Sequence, residues 1–156
     1  MGAVAIFNED GQFQRMAAVG VPLAAPWGLA LAPAGFGPFG GDLLVGNFSF
    51  MASEINIFDS SGNFVGTIPI DVGIGNTPGG LWALGFGTGG SNGSPNTLFF
   101  TDGINGESDG LFGALTPTPI PAALPLFATG LGALGLLGWR RKRKSNAIST
   151  ASIVQK

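Results

Sequence analysis

Short runs of alternating apolar and polar residues recur along the first 115 residues, separated by clusters of Gly, Pro, Asn and Asp. Alternation with a period of two is typical of a β-strand with one buried face, and Gly or Pro clusters end such strands. The apolar residues do not form helical stripes in this part of the chain. The pattern predicts nine strands, at residues 4–7, 13–16, 27–32, 43–47, 54–58, 63–68, 81–86, 98–101 and 110–114.

The connections between these strands are of two kinds. Residues 8–11 and 59–62 are predicted to be tight hairpin turns, because each begins with Asn or Asp and ends with Gly. The Asn or Asp side chain can accept hydrogen bonds from the turn, and Gly adopts a positive φ without steric cost. The Gly- and Pro-rich segments 33–41 and 87–95 are predicted to be longer loops.

The strands belong to an internal repeat. Residues 5–13 recur as 56–64 with a shift of 51, residues 27–31 recur loosely as 80–84 with a shift of 53, and residues 43–47 recur as 98–102 with a shift of 55. A spacing of about 50 residues is close to the period of a β-propeller blade. We therefore predict an all-β fold over residues 1–115, an incomplete β-propeller of about two blades of four-stranded antiparallel sheet.

The pattern changes in the segment 116–144. Residues 120–139 carry no charged side chain, and twenty residues form a helix about 30 Å long, the thickness of the hydrocarbon core of a bilayer. Five basic residues follow directly: Arg140, Arg141, Lys142, Arg143 and Lys144. Basic residues that flank a span stay on the cytoplasmic side. This predicts a single transmembrane helix in membrane lipid, with the N-terminal part extracytoplasmic; the alternative is a buried helix of a soluble protein.

The C-terminal segment resembles a bacterial sorting signal. The sequence Thr118-Pro119-Ile120-Pro121-Ala122, the apolar span and the basic run resemble a PEP-CTERM signal in its VPLPA-like variant. The resemblance implies that Pro119, Ile120, Pro121 and Ala122 form the sorting motif, and that a membrane-embedded exosortase recognises it. Ile120 replaces the acidic residue of the Pro-Glu-Pro form. Residues 145–156 extend beyond the usual end of such proteins and are predicted to be a disordered tail.

The repeat itself resembles an NHL-type propeller blade. The residues that carry this resemblance are 26–31, 43–47 and 55–64. Together with the tail, this resemblance implies an exported propeller protein. It indicates where the protein is located better than it indicates the chemistry of the protein. The N-terminus has no basic region and only a short apolar run, so it is not a secretory signal. We hypothesise that the chain is the C-terminal piece of a longer exported protein.

The amino-acid composition excludes several kinds of catalytic and metal site. The chain has no Cys and no His, which excludes disulfides, zinc sites built on these residues and a Ser-His-Asp triad. Before the C-terminal segment, a single basic residue, Arg15, stands against nine acidic ones, for a formal charge of −8. Such an acidic segment lacks the cluster of basic residues that binds the phosphates of nucleic acid. The glycines do not form a phosphate loop. We predict no nucleic-acid partner, no cofactor and no enzymatic activity.

Two polar residues are candidate metal ligands. Asn47 and Asp102 occupy matching positions in the repeat, at the end of the second strand of each blade. Resemblance to six-bladed lactonase-like propellers implies that such side chains converge on a metal ion. The alternative is that each only turns the chain after its strand. Segment 102–110 is rich in oxygen-bearing side chains but lacks the spacing of a calcium-binding EF-hand loop, so we predict a flexible turn there.

Trp27 and Trp82 leave two interpretations open. Both could stack on sugar rings, or both could pack between blades. The favoured function is an exported, membrane-anchored cell-surface protein whose propeller binds a partner such as exopolysaccharide without catalysis. The alternative is a metal-dependent, lactonase-like hydrolase in a full-length parent.

Overall fold

A computed structural model of the protein describes residues 1–118, which form nine β-strands and two 3-10 turns. The strands are β1 (Gly2–Phe7), β2 (Phe13–Gly20), β3 (Pro26–Leu31), β4 (Leu43–Asn47), β5 (Glu54–Phe58), β6 (Phe64–Pro69), β7 (Pro78–Phe86), β8 (Leu98–Ile104) and β9 (Asp109–Leu115). The 3-10 turns, Gly37–Phe39 and Gly90–Asn92, lie in the two predicted long loops. The all-β prediction is confirmed, and each predicted strand is present.

The strands form three antiparallel sheets. Sheet 1 has the order β1-β2, sheet 2 the order β3-β4-β5-β6, and sheet 3 the order β7-β8-β9. Sheets 2 and 3 therefore share the same order over their first three strands. The three sheets of residues 1–118 do not form a closed propeller.

The two tight turns form as predicted. The Gln12 N–H donates to Asn8 Oδ1 over 2.8 Å, and the Asn63 N–H donates to Asp59 Oδ1 over 2.9 Å. Gly62 completes the second turn with a φ of 85°. The side-chain amide of Asn63, followed by backbone N–H groups, stabilises the ionised form of Asp59 and lowers its pKa.

The main core lies between sheets 2 and 3. Its buried members are Ala32, Phe36, Leu44, Ile55, Ile57, Leu81, Leu98 and Phe100. The sheets approach closely because Gly46 of β4 faces Leu81 of β7: a Cβ on Gly46 would lie 2.8 Å from Leu81 Cβ. Each fully buried Leu or Ile contributes about 1.5–3 kcal/mol through removal of its apolar surface from water.

A smaller core joins sheet 1 to sheet 2. Its buried members are Val4, Ala17, Ala18, Leu23, Val45 and Phe58. This contact leaves part of sheet 2 uncovered, since Leu29 and Leu31 of β3 are 47% and 70% exposed. Sheet 2 is thus covered more completely on the side of sheet 3 than on the side of sheet 1.

Strand pairing sets the equivalence between β3 and β7. Pro26 pairs with Asn47, and Leu81 pairs with Asp102. Trp27 follows Pro26 in β3, and Trp82 follows Leu81 in β7. Each tryptophan is the extra residue of a β-bulge. Trp27 is therefore equivalent to Trp82 with a shift of 55, and the prediction of a shift of 53 in this strand is wrong. Both strands carry the bulge, so the shift is the same 55 that residues 43–47 show, and it also aligns Leu29 with Leu84.

Among residues 1–118, no helix has the length and apolar character needed to cross a membrane. The predicted single-pass membrane topology is therefore not supported by the described part of the chain. The predicted span at 120–139, the motif residues 119–122, the basic residues 140–144 and the tail 145–156 all lie outside the described residues.

Candidate functional site

Four aromatic side chains cluster where sheets 2 and 3 meet: Trp27, Phe48, Phe50 and Trp82. Ring centroids lie 5.4 Å apart for Trp27 and Trp82, 5.1 Å for Phe48 and Trp82, and 5.5 Å for Phe48 and Phe50, each pair edge to face. Trp27, Trp82 and Phe50 are 58%, 42% and 55% exposed. We call this cluster the aromatic ledge. The two tryptophans both pack across the sheet boundary and face solvent.

Local backbone geometry builds the aromatic ledge. The bulges at Trp27 and Trp82 re-aim these side chains relative to the regular strand. Phe48 follows the last residue of β4, and its N–H donates to the Ala25 carbonyl over 2.9 Å. Gly80 allows the Phe48 ring to approach, because a Cβ at this position would lie 2.9 Å from Phe48 Cδ2. The φ of Gly80 is 118°, a value that other residues rarely adopt.

A cleft of about 430 Å³ adjoins the aromatic ledge, with Trp82 as one of its walls. Glu107 Oε1 accepts a hydrogen bond of 3.0 Å from Trp82 Nε1–H, which fixes the plane of the indole. Asp109 and Phe112 also line the cleft. The two carboxylates supply hydrogen-bond acceptors beside two aromatic surfaces.

The segment predicted as a flexible turn is mostly strand. Strand β8 continues to Ile104 and β9 begins at Asp109, which leaves a connection of four residues, 105–108. The Asn105 side chain donates to Asn76 Oδ1 over 2.9 Å and to Asp109 Oδ2 over 3.1 Å. The predicted turn is present but shorter, at residues 105–108, and the connection is braced against the loop before β7.

Asn47 is buried, and its side chain forms hydrogen bonds with the backbone of another loop. Its Oδ1 accepts a hydrogen bond of 3.0 Å from the Ala24 N–H, and its Nδ2 donates to the Pro22 carbonyl over 3.0 Å. Asn47 thereby ties the loop before β3 to the end of β4. This geometry favours the chain-turning interpretation for Asn47.

Asp102, the equivalent residue in β8, is 2% exposed. Neither of its carboxylate oxygens has a hydrogen-bond partner among the described residues, and the buried Ser53 hydroxyl also has none there. Burial raises the pKa of Asp102 above its usual range; the nearby Ser53 hydroxyl and Gly80 N–H oppose this rise without reaching good hydrogen-bond geometry. A buried unpaired polar group costs about 1–3 kcal/mol.

The metal role of Asn47 and Asp102 stays a prediction. Within residues 1–118, no three His, Cys, Asp or Glu side chains come together in a group that could hold a metal ion. The lactonase-like alternative would need such a set of oxygen ligands. The described part of the chain therefore supplies no observation that favours this alternative over a binding role.

Sequence reasoning identified the two tryptophans of the site but missed Phe48, Phe50 and Glu107. The two phenylalanines had a local signal, since they stand at alternate positions directly after a predicted strand. Glu107 had none, because it reaches Trp82 across 25 residues of sequence through the pairing of β7 with β8.

No family model and no solved structure matches the chain. Three proteins of Acanthamoeba polyphaga mimivirus are similar to parts of it. Uncharacterized protein L690 is 44% identical over 69 residues, which cover 43% of this chain and 17% of L690. Uncharacterized protein R640 is 35% identical over 68 residues (44% and 12%), and Uncharacterized protein R648 is 34% identical over 121 residues (73% and 27%). The chain thus spans 12–27% of the length of these relatives.

These comparisons correct the resemblance drawn from the sequence. The relatives found are viral, whereas the PEP-CTERM signal and its exosortase are bacterial, and no model of either the signal or the NHL repeat matches. The assignment to PEP-CTERM proteins with an NHL-type propeller, and the bacterial setting it implied, are therefore wrong. Nothing in the comparisons or in residues 1–118 indicates an enzymatic activity.

Proposed function

We propose that the protein is a non-catalytic binding protein whose aromatic ledge and adjoining cleft bind an uncharged polysaccharide. The observation that carries this proposal is the edge-to-face pair of Trp27 and Trp82, which stays half exposed at the boundary of two sheets. Exposed apolar clusters of this kind mark interaction sites, because they leave unfavourable surface in water until a partner covers it.

The chemistry of the site suits a sugar. The C–H groups of a pyranose ring carry partial positive charge, and the face of an aromatic ring is negative, so the two surfaces attract. Glu107 and Asp109 can accept hydrogen bonds from the sugar hydroxyls at the edge of such a ring. Because Glu107 already holds the Trp82 indole, little side-chain entropy is lost when a ligand binds.

The negative charge of residues 1–118 favours neutral polysaccharides over anionic ones. Residues 1–118 contain nine acidic residues and one basic residue, a formal charge of −8. A surface of this charge repels an anionic polymer and lowers its rate of association. We therefore propose a neutral glycan rather than an acidic one.

We infer that sheets 2 and 3 are successive units of a propeller-like array. The constant shift of 55 between β3–β4 and β7–β8, the shared strand order and the packing of β3 against β7 support this inference. In such an array the aromatic ledge forms where the first strands of two neighbouring sheets meet, so a longer protein of this repeat could present several ledges.

The test is affinity electrophoresis of the full chain through gels that contain a neutral glucan, xylan or mannan, or the anionic polymer alginate. We expect retardation by at least one neutral polysaccharide and none by alginate. Trp82→Ala removes the shared wall of the ledge and the cleft, and should weaken binding at least tenfold.

Phe13→Ala is the matched control, because Phe13 is 56% exposed and lies on sheet 1, outside the aromatic ledge. This variant should be retarded like the parent. Absence of retardation by every neutral polymer, or equal retardation of Trp82→Ala and Phe13→Ala, would overturn the proposal.

A further inference from the structure

A groove of about 470 Å³ lies between sheet 1 and strand β3 of sheet 2. Its apolar lining includes Val4 and Ile6 of β1 and Leu29, Leu31 and Leu43 of sheet 2. Leu29 and Leu31 are 47% and 70% exposed. We call this the docking groove. It is separate from the aromatic ledge and does not depend on the proposed function.

The internal repeat shows what covers the equivalent surface of sheet 3. The residues 55 positions after Leu29 and Leu31 are Leu84 and Phe86, and both pack against the main core. Phe36, in the loop between β3 and β4, meets the Phe86 ring edge to face at 5.0 Å. Gly28 lets β3 approach, since a Cβ there would lie 3.2 Å from Leu84 Cγ. The covering element is thus the β3–β4 hairpin, with small residues on its first strand.

Strand β1 has one edge that pairs with no strand of residues 1–118. In the repeat, residues 5–13 match 56–64, so β1 corresponds to β5. Strand β5 pairs with β4 on one edge and with β6 on the other. Among the described residues, β1 pairs only with β2. Within residues 1–118, the place that β4 takes beside β5 is therefore open beside β1, and Val4 and Ile6 of β1 line the groove.

We propose that the docking groove binds a β-hairpin of the β3–β4 type supplied by another polypeptide. The second strand of this hairpin pairs with the open edge of β1, and its first strand covers Leu29 and Leu31 with small side chains. An unpaired edge gives affinity through main-chain hydrogen bonds, and the apolar groove selects the side chains.

The test titrates the full chain into a fluorescently labelled synthetic peptide with the sequence of residues 26–47. We expect saturable binding by fluorescence anisotropy and at least tenfold slower hydrogen exchange of the β1 amides. The peptide variant Leu44→Asp alters the face that meets the groove and should bind at least tenfold more weakly. The peptide variant Leu31→Asp alters the opposite face and should bind like the parent peptide.

Variants of the full chain locate the site. Leu31→Asp places a charge in the groove and should abolish binding, and the 70% exposure of Leu31 leaves the fold unaffected. Ile74→Asp is the control, because Ile74 is fully exposed in the loop before β7. No saturable binding, or binding unchanged by Leu31→Asp in the full chain, would overturn the proposal. Self-association that Leu31→Asp removes and the peptide cannot displace would also overturn it, because a second copy would then fill the groove.

Discussion

The two faces of sheet 2 meet their neighbours in different ways. On the side of sheet 3, Leu44, Ile55 and Ile57 are all 0% exposed. On the side of sheet 1, Val45 and Phe58 are also buried, whereas Leu29 and Leu31 of β3 are 47% and 70% exposed. The exposed leucines belong to the same sheet and are equally apolar. Burial is therefore set by what the neighbouring sheet supplies, as expected where each repeat buries its surface only against the next.

This difference separates two kinds of surface. At the covered boundary, Gly46 brings the sheets close together and the aromatic ledge stands above a closed core. At the partly covered boundary, the apolar surface continues outward into the docking groove. The first surface suits a ligand that stacks on fixed rings, and the second suits a partner that adds strands.

The largest difference between the two boundaries is expected at two equivalent leucines, Leu98 and Leu43, which begin β8 and β4. Leu98 is 0% exposed in the main core, and Leu43 is half-buried beside the docking groove. Leu98→Ala should lower the free energy of unfolding by about 2–5 kcal/mol, because it leaves a cavity. Leu43→Ala should lower it by about 1–2 kcal/mol, since solvent and neighbouring chains can fill the space. Urea denaturation measures both, and equal losses would contradict the difference between the boundaries.

A smaller effect is expected at Asp102, the buried carboxyl group of the covered boundary. Asp102→Asn keeps the shape and removes the charge, and should raise the free energy of unfolding at neutral pH by about 1 kcal/mol, because an unpaired amide costs less to bury than an unpaired carboxylate. Because burial raises the pKa of Asp102 in the folded protein, the folded state binds more protons than the unfolded state above about pH 4. The stability of the parent should therefore fall as the pH rises from there through the raised pKa, and the variant should lack this decline.

The control for Asp102 is Asp10→Asn, which removes the same charge at an exposed turn. It should change stability by no more than about 0.5 kcal/mol. Denaturation series across the acidic range compare the three proteins. A pH dependence that Asp102→Asn leaves unchanged would show that the buried carboxyl is not its source.

The strands and turns could be predicted because their signals are local. Alternation located all nine strands, and the residues of the 59–62 turn make the hydrogen bonds that their sequence indicates. The candidate site depends on non-local facts. The bulges at Trp27 and Trp82, and the pairing that brings Glu107 to Trp82, leave no trace in the alternating pattern.

The lack of a hydrogen-bond partner for Asp102 within residues 1–118 could not be predicted from the sequence either. Asn47 at the equivalent position has partners from the loop before β3, because Ala24 and Pro22 face its two polar atoms. The corresponding surroundings of Asp102 supply Ser53 and Gly80 without a good hydrogen bond.

The most direct measurement is native-state hydrogen exchange across the three sheets of the full chain. Amides of β4, β5 and β8, which surround the main core, should exchange only when the whole domain unfolds. Amides shared by β1 and β2 should exchange by local opening, at a free energy lower by at least about 2 kcal/mol, because a two-stranded sheet with one partly covered face is weakly held. Protection of β1 and β2 equal to that of β4 and β8 would show that sheet 1 is held as firmly as the main core, contrary to this expectation.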